Sequence, residues 1–282
     1  MKFVSFHDGR DIHYGAVMGD GVVDLSNKLK YLSLRALLEA GALAEAGNAV
    51  DGAKADKPLA GLKLTLPIPD ARKILCAGRN YRAYHEVVGD GKAPGYPSVF
   101  GRFLSSFAAH GEDIYKPKVS NQLDYEGELV AVIGRRARHV AEADAMSCVA
   151  GYTVMNEGTV REWSKMGTQN LPSKNFYRSG GMGPWMVTAD EVGDPMKLRV
   201  TTRRNGQVVQ DGGTDLMIFD IKYLIAHISK FTWLEPGDLI ATGSPGGSIV
   251  ESKTPNWLKA GDVVEVEVSS VGTLRNTVAN EP

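Results

Sequence analysis

The stretch Leu123-Asp124-Tyr125-Glu126-Gly127-Glu128-Leu129-Val130-Ala131-Val132-Ile133-Gly134 constrains this chain more than any other. From Leu129 it turns apolar without a break, as a strand buried in a core does. In a strand, residues two apart share a face, so Glu126 and Glu128 project together. Two carboxylates side by side repel unless a cation or a shared proton neutralises them. Gly127 between them lets another part of the chain approach on the opposite side. A fold that hosts this segment must therefore offset a pair of acids at the mouth of a core strand. Taken alone, the segment also fits a solvated edge with adjacent acids.

A second acidic element favours a metal site. The apolar strand Val149-Ala150-Gly151-Tyr152-Thr153-Val154 runs into Met155-Asn156-Glu157-Gly158-Thr159-Val160-Arg161. An acid at the end of a core strand, flanked by Asn, Thr and Arg, is where reactive groups on a rigid scaffold sit. Three carboxylates without a His or Cys cluster form a hard, oxygen-only donor set. Such a set selects Mg2+, Mn2+ or Ca2+ over zinc and leaves positions for water and substrate.

Composition narrows the classes. With 282 residues the chain is either one large domain or a small one joined to a large one. Lys plus Arg number 32 and Asp plus Glu 33, a formal charge of −1 that argues against a dedicated nucleic-acid binder. Apolar runs such as Val130 to Ile133 are too short to span a bilayer. The first residues, Met1 to Asp8, lack the apolar stretch of a secretory signal. Cys76 and Cys148 lie in apolar surroundings and read as buried, reduced thiols, so a cytoplasmic location is expected.

Residues 1–69 read as a small amino-terminal module. It has strands at Lys2–Phe6, Tyr14–Met18 and Gly21–Asp24, a helix capped by Ser33 and ended by Gly41, and a surface connection over 44–58. Pro67 and Pro69 give a stiff, extended entry to residues 70–282. Strand signals dominate there: Ile74–Ala77, Glu128–Ile133, Val149–Val154, Trp185–Thr188, Leu198–Arg203, Val208–Gln210, Leu239–Thr242 and Val263–Val268. Asn205-Gly206 is a hairpin turn signal. Gly237-Asp238 and Gly261-Asp262 each introduce a strand. One helix is predicted over Ile218–Phe231, with Ile218, Ile221, Leu224, Ile225 and Ile228 as its stripe and His227 structural.

At the acidic segments the sequence resembles the fumarylacetoacetate hydrolase superfamily, whose Asp-Tyr-Glu-x-Glu-Leu strand is reproduced by Asp124 to Leu129. The resemblance continues through Gly151 to Asn156, Lys174-Asn175-Phe176, Gly183 to Thr188, Asn205-Gly206 with Gln210, Leu234 to Asp238, and Ala241 to Gly246. Gly78-Arg79-Asn80-Tyr81 and Pro97 to Phe100 extend it upstream, so that it covers about residues 73–278 in order. It implies an α+β fold, a mixed, β-sandwich-like roll with few helices and a small amino-terminal α/β module, assembled as a homodimer.

The same resemblance implies Mg2+ or Mn2+ (Ca2+ as another occupant) held by Glu126, Glu128 and Glu157, with a 2-oxo or diketo acid as substrate. Lys174 would add positive charge near the oxo or enolate oxygen. Thr242, Gly243 and Ser244 resemble a Thr-Gly-Thr-Pro loop that holds a substrate carboxylate, with Ser244 in place of the usual Thr. Arg79, Tyr81 and Gln169 are further pocket candidates. Arg102 stands where many relatives carry Lys and would be a second cation.

Two departures stand out. Relatives usually carry Asp, one methylene shorter, at the position of Glu157. Hydrolytic members commonly show Asn-Tyr-x-x-His-x-x-Glu, a His–Glu dyad that activates water. Here the order is Asn80-Tyr81-Arg82-Ala83-Tyr84-His85-Glu86. Neighbours on a helix diverge by ~100°, so His85 and Glu86, the candidate acid–base residues, do not pair in the usual way. The leading expectation is a metal-dependent hydrolase of a C–C bond in an acylpyruvate or related 2,4-diketo acid, in small-molecule catabolism. Decarboxylation of an oxaloacetate-like acid, isomerisation of an unsaturated 2-oxo acid, and non-catalytic binding of a 2-oxo acid are the alternatives.

Overall fold

The computed structural model describes residues 1–87 and 92–282, with Tyr84 and His85 described by their backbone alone. Strands dominate this α+β fold. Among the described residues no α-helix exceeds the eight residues of Leu43–Val50 and Ile221–Ile228. None is long and apolar enough to cross a membrane. The large sheet runs in the order Lys57–Pro58, Gly21–Asp24, Asp11–Met18, Lys2–Asp8, Gly180–Thr188, Val149–Asn156, Gly127–Ile133, Leu239–Ala241, Ile74–Gly78 and Ser98–Arg102. Phe107–Ala109 pairs alongside Gly180–Thr188. A second sheet is ordered Gln207–Gly213, Arg199–Arg204, Val263–Val268, Gly272–Asn280 and Asp113–Lys116.

The strand Gly127–Ile133 is buried at every residue because both of its faces are covered. Leu129, Ala131 and Ile133 join the core shared with Val200, Val264 and Val266 of the second sheet. Val130 and Val132 belong to the opposite core, with Leu34, Leu37, Leu38, Ala46 and Val50 of the amino-terminal helices. Each fully buried aliphatic side chain contributes on the order of 1.5–3 kcal/mol, so the strand is anchored from two sides. Gly127 is the point of closest approach. A Cβ there would lie 2.3 Å from Thr202 Oγ1 and 2.9 Å from Val266 Cγ1.

Most strand positions agree with the sequence reading, and the differences have physical reasons. Residues 44–58 are not a plain surface connection: Leu43–Val50 is a helix that buries Ala46 and Val50, and Lys57–Pro58 is a short edge strand. The helix predicted over 218–231 is shorter, Ile221–Ile228, because the Asp220 carboxylate caps it by accepting from the Tyr223 N–H. Ile218 and Phe219 are drawn out of it by Asn80, whose carbonyl and side-chain oxygens accept their N–H groups. Asn205 and Gly206 both have positive φ, 52° and 80°, as a tight hairpin between twisted strands requires. The strand Gly272–Asn280 escaped notice because the inward position Asn276 is polar. It is buried and donates to the carbonyls of Ala109 and Glu112.

Gly127→Val should lower the stability by about 1–3 kcal/mol through overpacking between the sheets. Gly95→Ala, where a Cβ meets nothing within 4 Å, should leave the urea midpoint unchanged. Equal midpoints for the two variants would show that the sheets are not in close contact at Gly127.

Candidate metal centre and active site

Strand pairing brings the acids together. Gly127 stands opposite Asn156 in the antiparallel ladder, so Glu126 and Glu157, just beyond the paired ends, become neighbours. The Glu157 N–H donates to the Glu126 carbonyl at 2.7 Å. Glu128, one residue inside the strand, shares the face of Glu126, and both line one cavity with Glu157. Lys174 is the last residue of the short helix Leu171–Lys174, which delivers its ammonium to the same point. It donates to Glu157 Oε2 at 2.6 Å and, more closely still, to Glu126 Oε2.

Arg161 completes the inner group. Its Nε donates to Asp124 at 2.7 Å and its Nη2 to Glu126 Oε1 at 2.8 Å. Asp124 also accepts from the N–H groups of Ile249 and Val250 at 2.9 and 3.1 Å, tying the 248–251 segment to the acidic strand. Burial alone would raise the Glu126 carboxyl, but Arg161 and Lys174 outweigh it and hold Glu126 well below the usual carboxylate range. Burial likewise works against the Lys174 ammonium, yet Glu126 and Glu157 keep it above the ordinary lysine value. Glu128 accepts a hydrogen bond from the Gly243 N–H at 2.9 Å. Burial, then the charges of Glu157 and Glu126, push its carboxyl well above the usual range.

The cavity has a volume of about 260 Å³. Besides the acids and Lys174 it is lined by Arg79, Arg161, Gly243 and Ser244, with Ser164, Lys165, Asn170 and Glu251 toward its other walls. Gly243 has φ 91°, and a Cβ there would come within 2.9 Å of both the Ala77 carbonyl and Asn80 Cβ, so the loop needs glycine. Ser244 is held by Gln210, whose amide group donates to Ser244 Oγ at 2.8 Å and accepts from the Gly127 N–H at 2.9 Å.

Several residues expected in the pocket are elsewhere. Tyr81 is a core residue, 1% exposed, because it packs among apolar side chains under the strand ends. Thr242 uses its hydroxyl on the Leu129 carbonyl at 2.9 Å and does not line the cavity. Gln169 is exposed, and the next residue, Asn170, takes the cavity position. Arg102 is buried behind Glu157 instead of facing the cavity. Glu86 is exposed and outside the cavity wall, and the side chain of His85 lies outside the described residues. Arg161 and Gln210 were not singled out as site residues. The alternation Glu157-x-Thr159-x-Arg161 was a signal for the first, since Thr159 also donates to Glu126, at 2.9 Å. Nothing local marks Gln210.

A larger cavity of about 420 Å³ shares Ser248 with this one but holds none of the expected site residues. The tightest group of three ligand-type side chains among the described residues is Asp8, His13 and Asp24, with ligand atoms within 4.8 Å of one another. It is satisfied without an ion: Lys57 pairs with Asp8 at 3.1 Å, and Asn27 and Ser26 donate to Asp24. The three glutamates line one cavity, two of them on the Lys174 ammonium. They nonetheless fit a hard divalent ion. Arg102, Arg161 and Lys174 pair with Asp124, Glu126 and Glu157, burial and the charges of Glu157 and Glu126 work against the ionisation of Glu128, and the buried Glu157 Oε1 has no hydrogen-bond partner. Buried charge left uncompensated is costly, and a cation relieves it.

These residues lie within residues 73–279, which match the C-terminal domain of fumarylacetoacetate hydrolase, and the chain belongs to that family. It is 37% identical over 288 residues to the Xenopus laevis mitochondrial oxaloacetate tautomerase fahd2, covering 99% of this chain and 90% of that one. The fumarylacetoacetate hydrolase from Exiguobacterium antarcticum superposes over 100% of both chains with a TM-score of 0.87 at 30% identity. The maleylpyruvate hydrolase from Sphingobium sp. SYK-6, solved with manganese(II) and pyruvate, does so over 100% of both with 0.84 at 25%.

Glu128 makes a stability prediction with a definite sign. A carboxyl whose folded-state pKa is raised destabilises the fold as pH climbs above its unfolded value of about 4.3. Glu128→Gln removes that penalty. In chelated protein at pH 8 it should unfold about 1–3 kcal/mol later in urea than the parent chain, while near pH 4 the two should converge. A variant less stable at pH 8 would contradict the charge conflict.

Proposed function

We propose that this chain is a divalent-metal-dependent enzyme that interconverts the enol and keto forms of a small 2-oxo dicarboxylic acid of the oxaloacetate type. The observation that carries this reading is the cluster of Glu126, Glu128 and Glu157 lining one cavity with Lys174, whose ammonium pairs with Glu126 and Glu157. Mg2+ or Mn2+ bound by the three glutamates would supply the Lewis acidity that makes the enolate accessible. Ca2+ fits the same oxygen donors as an occupant.

The remaining roles belong to this chain's own groups. Lys174 stays charged and acts as a donor toward the oxygen that carries negative charge in the enolate, a pre-set positive charge at that position. Ser244 and the Gly243 backbone, placed by Gln210 and Glu128, offer a polar wall to the substrate's first carboxylate. Arg79 and Lys165 add positive charge to the cavity lining, which suits a second carboxylate. Tautomerisation moves one proton between carbon 3 and the 2-oxygen. It breaks no C–C bond and needs no activated water, so the altered sequence spacing of His85 and Glu86 is no obstacle to it. The likeness to an oxaloacetate tautomerase over nearly the whole chain supports the same choice.

A second reading is hydrolysis of an acylpyruvate, favoured by the likeness to maleylpyruvate hydrolase. One experiment separates the two. With Mn2+, the purified protein should speed the decay of the enol absorbance of oxaloacetate above the rate with metal alone, and chelation should abolish the effect. Lys174→Met should lower kcat by roughly 10²-fold or more. Acylpyruvates should yield no pyruvate. Acceleration that survives exhaustive chelation would sink the metal reading, and release of pyruvate together with a carboxylic acid from an acylpyruvate would establish hydrolysis.

A further inference from the structure

We propose that Arg102 is a positioning residue that acts through Glu157, holding the third carboxylate and its turn from behind so that the site keeps its affinity for a divalent ion. The inference rests on the metal-enzyme reading above. The Arg102 side chain has no exposed surface and is absent from the cavity lining, so it has no route to a substrate. Its guanidinium is clamped on three sides. Nε donates to Ser106 Oγ at 3.2 Å, Nη2 reaches Ser179 Oγ at 3.4 Å, and the plane lies 4.2 Å from the centre of the Phe107 ring.

The fourth side faces the acid. Nη1 lies 3.9 Å from Glu157 Oε1 and donates to the carbonyl of Gly158, the next residue, at 3.3 Å. That turn has no slack: a Cβ on Gly158 would come within 1.8 Å of the Ser179 carbonyl oxygen. Arg102 therefore bridges both partners of the contact, Ser179 and the Glu157–Gly158 turn. Glu157 is held in front by Lys174 on Oε2 at 2.6 Å, while Oε1 lacks any hydrogen bond. Lys174 lines the cavity, whereas Arg102 does not and is held by Ser106, Ser179 and Phe107. The counter-charge that stays in place through a reaction is the arginine, and a planar fork holding several acceptors is not replaced by lysine.

The test is Mn2+ binding by titration calorimetry on the full chain, together with the KM for oxaloacetate at saturating Mn2+. Arg102→Met should weaken Mn2+ binding by about tenfold or more, as loss of a group supporting a metal ligand does. Arg102→Lys should fall between it and the parent. Glu157→Asp withdraws the carboxylate from the guanidinium, so adding Arg102→Met to Glu157→Asp should cost less than about threefold more. The KM at saturating Mn2+ should stay within about twofold in Arg102→Lys. If Arg102→Met does not fold, Arg102→Lys alone and combined with Glu157→Asp carries the same comparison.

Parent-like Mn2+ affinity in the Arg102 variants would overturn the proposal, as would an undiminished loss in the Glu157→Asp background. A raised KM with intact Mn2+ affinity would overturn it too, making Arg102 a residue for substrate. Absence of Mn2+ binding by the parent chain would instead remove the metal reading itself.

Discussion

The structure turns on a charge conflict held inside a well-packed sheet. Glu126, Glu128 and Glu157 line one cavity with Asp124 beside them, and Arg102, Arg161 and Lys174 pair with Asp124, Glu126 and Glu157. Glu128 bears the conflict, since burial and its two acidic neighbours work against its ionisation. Such an arrangement is unfavourable for a bare scaffold and favourable for a cation trap.

Keeping the acids in conflict requires a scaffold that cannot relax, and the packing provides it. The strand that carries Glu128 is buried on both faces, and Gly127 brings it against Thr202 and Val266 of the second sheet. Polar side chains then lock the loops to that strand. Asp124 caps the segment after Ser248, Gln210 joins Gly127 to Ser244, and Asn80 ties Phe219 to the Thr242 carbonyl. Each is a buried group with its hydrogen bonds made, so its removal leaves an unsatisfied partner as well as a looser loop. The precision of the cavity comes from these side chains as much as from the acids.

Much of this was legible in the sequence where local pattern and tertiary role coincide. The acids two residues apart, the glycine between them and the apolar run after them predict a shared face, a close approach and a two-sided burial, and the structure has all three. The turn at Asn205-Gly206 is of the same kind. Legibility failed where a residue's role depends on a distant partner. Tyr81 and Thr242 lie in motif-like stretches, yet packing and a backbone carbonyl claim them. Ile218 continues a helical stripe, but Asn80, far away in sequence, pulls its backbone out of the helix. Gln210 and Asn276 are polar residues in strands, and only the fold shows that each links two elements through buried hydrogen bonds.

Two of the positions at which the site departs from its family resemblance, 102 and 157, face each other at 3.9 Å. A longer acid reaches further into a cavity but has one more torsion to fix, and an unfixed carboxylate loses ion affinity through the entropy of ordering it. A lysine behind it would add a torsion of its own. An arginine pinned by Ser106, Ser179 and a phenyl ring adds none, and its fork can address the acid's charge and the following carbonyl together. The two departures are therefore coherent as a pair: the extra methylene of Glu157 is tolerable because the cation behind it is rigid.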